Sequence, residues 1–191
     1  MVQVKITDEE LLSDNWYTLK KYTYEIQKNN GQWQKQTREV YDRGNGAAIL
    51  LYNKELKTVI LTRQFRLPTY VNGNKEGVLV EACAGLLDQD NPVEAIKRET
   101  EEETGYRIQH VQKIFEAYMS PGSVSEILHF FIAAYTPDMK VHGGGGVEAE
   151  QEDIEVIEIP YIQALAMMGA GEIKDAKTIM LLQYLKINQI I

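Results

Sequence analysis

The chain has 191 residues, 44% hydrophobic and 25% charged, which suits one substantial core or one domain with a small appendage, and excludes disordered and fibrous architectures. A formal net charge of -8 disfavours nucleic acid and anionic membrane as partners, because both are held through clustered Lys and Arg. The single cysteine, Cys83, excludes an intramolecular disulfide and a thiolate metal site, and fits a reducing compartment.

The opening segment lacks the basic start and apolar stretch of a secretory signal. No run approaches the roughly eighteen apolar residues of a membrane span, so a soluble cytoplasmic protein is expected. Residues 16–41 are rich in Tyr, Thr, Val and Ile and are broken at Asn29-Asn30-Gly31, which predicts a hairpin. Residues 42–46 form the best boundary, dividing a β-strand subdomain over 1–43 from a main domain over 44–191. Strands are predicted at 47–52 and 58–62, joined across Asn53-Lys54-Glu55, and again at 78–84. A helix then starts at Asn91-Pro92-Val93-Glu94, with Asn91 as N-cap and Pro92 at the first helical position, and stops at Gly105. Further strands are predicted at 111–119, 127–135 and 154–159, and helices at 161–168 and 176–187. Between them, His142-Gly143-Gly144-Gly145-Gly146 reads as a flexible segment running into an acidic stretch. Strands and helices do not alternate regularly and there is no internal repeat, so a mixed α+β fold is expected rather than a doubly wound sheet or a solenoid.

On the predicted helix, Glu99, Glu102 and Glu103 stand at i, i+3 and i+4, so their carboxylates share one face. Like charges at this spacing repel, and a hard divalent cation removes the repulsion. All-oxygen ligands suit Mg²⁺ or Mn²⁺ rather than zinc. The same pattern also suits a solvated acidic face with Arg98 pairing Glu102. Arg38, Arg63 and Arg66 either meet phosphate oxygens or serve as surface ion-pair partners. The three histidines have no metal-ligand spacing, and no Ser-His-Asp or Cys-His arrangement is legible.

Gly85 followed by Arg98-Glu99-Thr100-Glu101-Glu102-Glu103-Thr104-Gly105-Tyr106 resembles the Nudix box, G-x5-E-x7-REUxEExGU with U aliphatic. The interval from Gly85 to Arg98 is one residue shorter than the pattern, Asn91 stands in place of the first glutamate, and Thr100 replaces the aliphatic residue. The resemblance implies a Nudix-type α/β/α sandwich with a mixed sheet, preceded by the small N-terminal β-hairpin subdomain. It implies metal ligands at Glu99, Glu103 and the Ala84 carbonyl, with Glu102 assisting as a catalytic group. A further acid is expected on a mobile loop as catalytic group and metal ligand, placed at Glu152 with Glu148 and Glu150 as alternatives.

Beyond the box, Ser13 to Trp16, Arg38 to Gly44, Arg63-Gln64-Phe65-Arg66, Tyr118-Met119-Ser120-Pro121-Gly122 and Gly143 to Glu148 are similar to the nucleotide-sugar branch, the bacterial GDP-mannose pyrophosphatases. That likeness implies Mg²⁺-dependent, or Mn²⁺-dependent, hydrolysis of a nucleoside diphosphate sugar. GDP-mannose giving GMP and mannose 1-phosphate is the leading substrate, and ADP-ribose is the alternative. A non-catalytic nucleotide sensor with the same fold is the alternative of another class. Implied substrate contacts are Trp16, Arg38, Glu39, Arg66, Gly85, Leu86, Glu126 and Lys177. The likeness further implies a homodimer built through the N-terminal strands.

Overall fold

The structure, a computed structural model, describes residues 2–87, 91–147, 149 and 151–191. Two units separate by their contacts: the chain up to Asn45 together with Tyr118–Ile127, and Gly46–Ala117 together with Leu128–Ile191.

In the first unit, β1 (Val4–Asp14), β2 (Thr18–Gln27) and β3 (Trp33–Asp42) form an antiparallel sheet in chain order. The predicted hairpin is β2–β3. Its turn closes through Lys28 N donating to Gln32 O at 2.8 Å, with Gly31 at φ 82°, a conformation glycine adopts without strain. The sequence pattern did not predict β1. Its side chains are exposed along nearly its whole length, and the alternation of Val4 and Ile6 breaks off at the polar run from Thr7 to Glu10. Backbone pairing to β2 and cross-strand ion pairs from Lys20 to Glu9 and Lys21 to Glu10 hold it there. The 118–127 segment joins this sheet through Tyr41. Tyr41 N donates to Ser123 O at 2.8 Å, and Ser125 N donates to Tyr41 O at 3.1 Å.

The second unit centres on β4 (Gly46–Asn53), buried at almost every position, with β5 (Thr58–Phe65), β9 (Ile127–Ala134), β8 (Gln112–Tyr118) and β10 (Glu155–Pro160) in the order β10-β5-β4-β9-β8. β4 runs parallel to β9 and antiparallel to β5, so the sheet is mixed. The strand predicted over 78–84 is two strands, β6 (Val78–Glu81) on β5 and β7 (Cys83–Leu86) on β4. The chain changes partner at Ala82, whose amide leaves the ladder and donates to Thr178 Oγ1 at 2.6 Å. A short helix, α1 (Leu67–Val71), which apolar spacing did not reveal, fills the connection from β5 to β6.

Helices cover both faces. α2 (Pro92–Thr104) packs on β4, β5 and β7, burying Ala95 and Ile96 against Ala47, Ile49, Leu51 and Phe131. The alternate side chains of the strands face the other way, where Phe130 meets Phe115 and Phe115 meets Tyr184 of α4 (Ala176–Ile187). α3 (Tyr161–Ala170) packs on β5 and β10 and ties to α4 through Tyr161 Oη donating to Leu182 O at 2.9 Å. This is the three-layer sandwich with a mixed sheet expected from the resemblance.

Both ends of α2 are fixed. Asn91 Oδ1 accepts from Val93 N at 2.9 Å, Pro92 takes the first helical position, and Gly105 ends the helix at φ 78°. The glycine run after His142 is not the loose segment expected. Gly145 N donates to Glu103 O at 2.9 Å and Gly146 N to Glu102 O at 3.1 Å, so this segment caps the last carbonyls of α2. Gly144, Gly145 and Gly146 all have positive φ, and a Cβ on Gly144 would overlap the backbone of Glu103 and Thr104. Here glycine permits close approach and a left-handed backbone rather than hinge motion. Gly144→Ala is therefore expected to lower unfolding free energy by at least about 1–2 kcal/mol in urea titration, whereas Gly143→Ala, which meets nothing and has no positive φ, should change it by less than about 0.5 kcal/mol. Equal tolerance at the two positions would contradict the packed-loop account.

Candidate active site

The core-facing stripe of α2 reads Ala95, Ile96, Thr100, Glu103, Thr104, so an acid occupies a place where apolar or small side chains belong. Thr100, in the aliphatic position of the box, satisfies its hydroxyl by donating to Ile96 O at 2.5 Å. Glu103 is 3% exposed, and its Oε2 accepts from Ala84 N at 3.3 Å, which fixes the helix against β7 beside the Ala84 carbonyl. Burial, and then the charges of Glu152 and Glu99, push the Glu103 carboxyl up to about 8, against the opposing pull of the Cys83 thiol and Arg66.

Glu99 lies one helical turn back and presses on the same strand. A Cβ on Gly85 would overlap the Glu99 carboxylate, so the box glycine is small because this acid crosses directly over its Cα. Glu102 is partly exposed, and Arg98 Nη1 lies 3.0 Å from Glu99 Oε1 and 3.2 Å from Glu102 Oε2. Leu86, the last residue of β7, is half-buried and pairs with Gly46. Glu152 reaches back to the glycine run, its Oε2 accepting from Val147 N at 3.0 Å, and its charge is felt at Glu103. Glu148 and Glu150 lie outside the described residues.

The two expected basic side chains of this unit meet on one residue that sequence reasoning passed over. Arg66 Nε and Nη2 both lie 2.8 Å from Glu81 Oε2, and Lys177 Nζ lies 3.1 Å from Glu81 Oε1. The available signal was a lone acid inside the apolar run Val78-Leu79-Val80-Glu81-Ala82, since a buried carboxylate requires partners. Arg63, in contrast, pairs with Glu155 at 3.1 Å across β5 and β10.

The remaining expected contacts belong to the first unit. Trp16 is 79% exposed and makes an edge contact with Tyr17. Arg38 and Glu39 are consecutive on β3, opposite Tyr22 and Lys21, and Arg38 Nη1 donates to Thr37 O at 2.7 Å. Glu126 lies 3.6 Å from Arg43, which also stacks over the Tyr17 ring.

A strand carrying a glycine against a doubly capped helix that bears three glutamates is the Nudix arrangement, and the family comparison agrees. The NUDIX domain model matches residues 42–180, so the chain belongs to the Nudix family and is a Nudix hydrolase. A second model, the GDP-mannose pyrophosphatase NudK N-terminal domain, matches residues 3–41. Among curated proteins, the GDP-mannose pyrophosphatase of Yersinia enterocolitica is 58% identical over 98% of this chain and 97% of its own length. That of Pectobacterium atrosepticum is also 58% identical, over 95% of this chain and 93% of its own. That of Yersinia pestis is 57% identical over 98% and 93%.

Nudix domains generally use divalent metal ions, and the donors here suit one. They are all oxygen, and Glu103 is a buried acid pressed by two further acids, which a cation would relieve. Among the described residues these groups are not already gathered into a cage of three. Arg98 meanwhile softens the repulsion between Glu99 and Glu102. Among the described residues no helix is long and apolar enough to cross a membrane.

Because Gly85 does not have a positive φ, adding a methyl group there displaces Glu99 without straining the backbone. Gly85→Ala is expected to lower kcat roughly 100-fold and raise the Mg²⁺ concentration needed for half-maximal rate, with thermal stability close to that of the parent. A fully active Gly85→Ala protein would remove Glu99 from the site.

Proposed function

We propose that the chain hydrolyses the pyrophosphate bond of GDP-mannose to GMP and mannose 1-phosphate, with Mg²⁺, or Mn²⁺ in its place. The reaction class is supported by one observation above all: Glu103 is buried beside Ala84 with the charges of Glu152 and Glu99 bearing on it, a repulsion that a cation would relieve. The choice of substrate rests on similarity across nearly the whole chain to proteins named GDP-mannose pyrophosphatase.

In this reading Glu99, Glu103 and the Ala84 carbonyl hold the ion, and Glu102 assists. The ion supplies charge neutralisation for the pyrophosphate and acidifies water. Glu152 orients the attacking water and takes up its proton. Arg66 and Lys177 offset charge on the phosphates, which the acidic chain would otherwise repel. Gly85 and Leu86 line the approach to the ion. From the first unit, Arg38 and Glu39 offer adjacent donor and acceptor groups, Trp16 an exposed ring for stacking, and Glu126 a further acceptor. The exposed apolar side chains of β1, among them Val4, Ile6 and Leu11, fit a surface covered by a second copy in a homodimer.

The test is hydrolysis of GDP-mannose, ADP-ribose and other nucleotide sugars side by side, with Mg²⁺ and then with chelator, resolving the nucleotide products. GMP from GDP-mannose is expected to dominate, to vanish with chelator, and to fall about 1,000-fold or more in Glu103→Gln. Faster AMP release from ADP-ribose would move the assignment to that substrate. Metal-dependent turnover of none of them would favour a nucleotide sensor.

A further inference from the structure

Glu81 closes β6 with its side chain 4% exposed, in a strand otherwise apolar. An acid so buried must be neutralised in place, and this one divides its two oxygens between cations from distant parts of the chain. Oε2 takes Nε and Nη2 of Arg66, the residue that precedes α1, and Oε1 takes Nζ of Lys177, in the first turn of α4. The arginine edge bearing Nη1 is not used by Glu81.

The elements carrying these groups are themselves pinned. Arg66 N donates to Gly77 O at 2.7 Å. Asp175 caps α4 by accepting from Thr178 N at 2.9 Å and lies 3.0 Å from Lys177 Nζ. The Thr178 hydroxyl accepts from the Ala82 amide and donates to Asp175 Oδ2 at 2.5 Å. One polar network thus runs from the α4 N-terminus to Ala82, the break between β6 and β7 two places before Ala84. Burial works against the Arg66 charge, and Glu81 first, then Glu103 and Asp175, act to keep it.

We propose that Glu81 is a positioning residue: it does not touch substrate, but holds the Arg66 guanidinium and the Lys177 ammonium in the orientation in which both meet the phosphate oxygens. This rests on the reading above in which Arg66 and Lys177 contact substrate. Long basic side chains carry high rotamer freedom, and a buried carboxylate fixes both before substrate arrives. A lone acid inside an apolar strand, carrying two cations and no other function, is what such a task requires.

The experiment is a double-mutant cycle on the full-length protein, reading kcat and KM for GDP-mannose at saturating Mg²⁺ and at a temperature where urea titration shows every variant folded. Arg66→Ala and Lys177→Met alone should each lower kcat/KM, and Glu81→Gln should lower it by roughly 10- to 100-fold, mostly through KM. In the Lys177→Met and Arg66→Ala backgrounds, the further effect of Glu81→Gln should shrink severalfold. If Glu81→Gln is folded with parental kcat/KM, or lowers it by the same factor in every background, the positioning role is overturned while the substrate contacts stand. If Arg66→Ala and Lys177→Met are both silent, the reading of those contacts fails and takes this inference with it. Should Glu81→Gln not fold, Glu81→Asp keeps the buried charge but draws it back by one methylene. It carries the same cycle, and parental kcat/KM there is likewise overturning.

Discussion

The second unit is organised around an interaction that is unfavourable by itself, a glutamate carboxylate buried between helix and sheet with two other acids bearing on it. Taking an acid out of water costs several kcal/mol even after relaxation, and here Glu103 moves up to about 8 rather than escaping to solvent. It cannot escape because α2 is fixed at both ends. Asn91 and Pro92 set its start, Gly105 and the amides of Gly145 and Gly146 set its end, and Ala95 and Ile96 lock its face into the core. The strain is local and the restraint is distributed, which is how a folded protein keeps a charge array ready for a ligand that satisfies it.

Glycine serves that restraint in two different ways. Gly85 is small because Glu99 crosses over its Cα, a demand made by a side chain. Gly144 is small because the backbone of α2 lies against it and because its own φ is 72°, a demand made by the main chain. Read as composition, the glycine run signals mobility, and only the hydrogen bonds to Glu102 and Glu103 reveal it as a cap.

What was legible in the sequence was local. The α2 caps, the turn at Gly31, the positions of most strands and helices, and the spacing of the glutamates all follow from neighbouring residues, and the structure places them as read. The features that escaped are those whose cause lies far along the chain. β1 exists by pairing with β2, and none of its apolar side chains is buried. The break at Ala82 exists because Thr178 accepts its amide. Glu81 passes unnoticed inside a predicted strand, and its role emerges only with Arg66 and Lys177, which come from either side of it in sequence. Periodicity and capping rules see a window of a few residues, whereas a buried ion cluster is defined by its tertiary partners.

The attachment of 118–127 to the first sheet has a consequence for how this architecture is inherited and made. Hydrogen bonds join Asp42 to Ser125 and Asn45 to Ile127, groups 83 and 82 residues apart, so part of the first unit is encoded in the middle of the span matched by the NUDIX model. A ribosome delivers the three-stranded sheet long before the strip that moors it. Recombination that swapped only the leading segment between relatives would part the sheet from its mooring, so the two stretches are expected to travel together when such enzymes are shuffled.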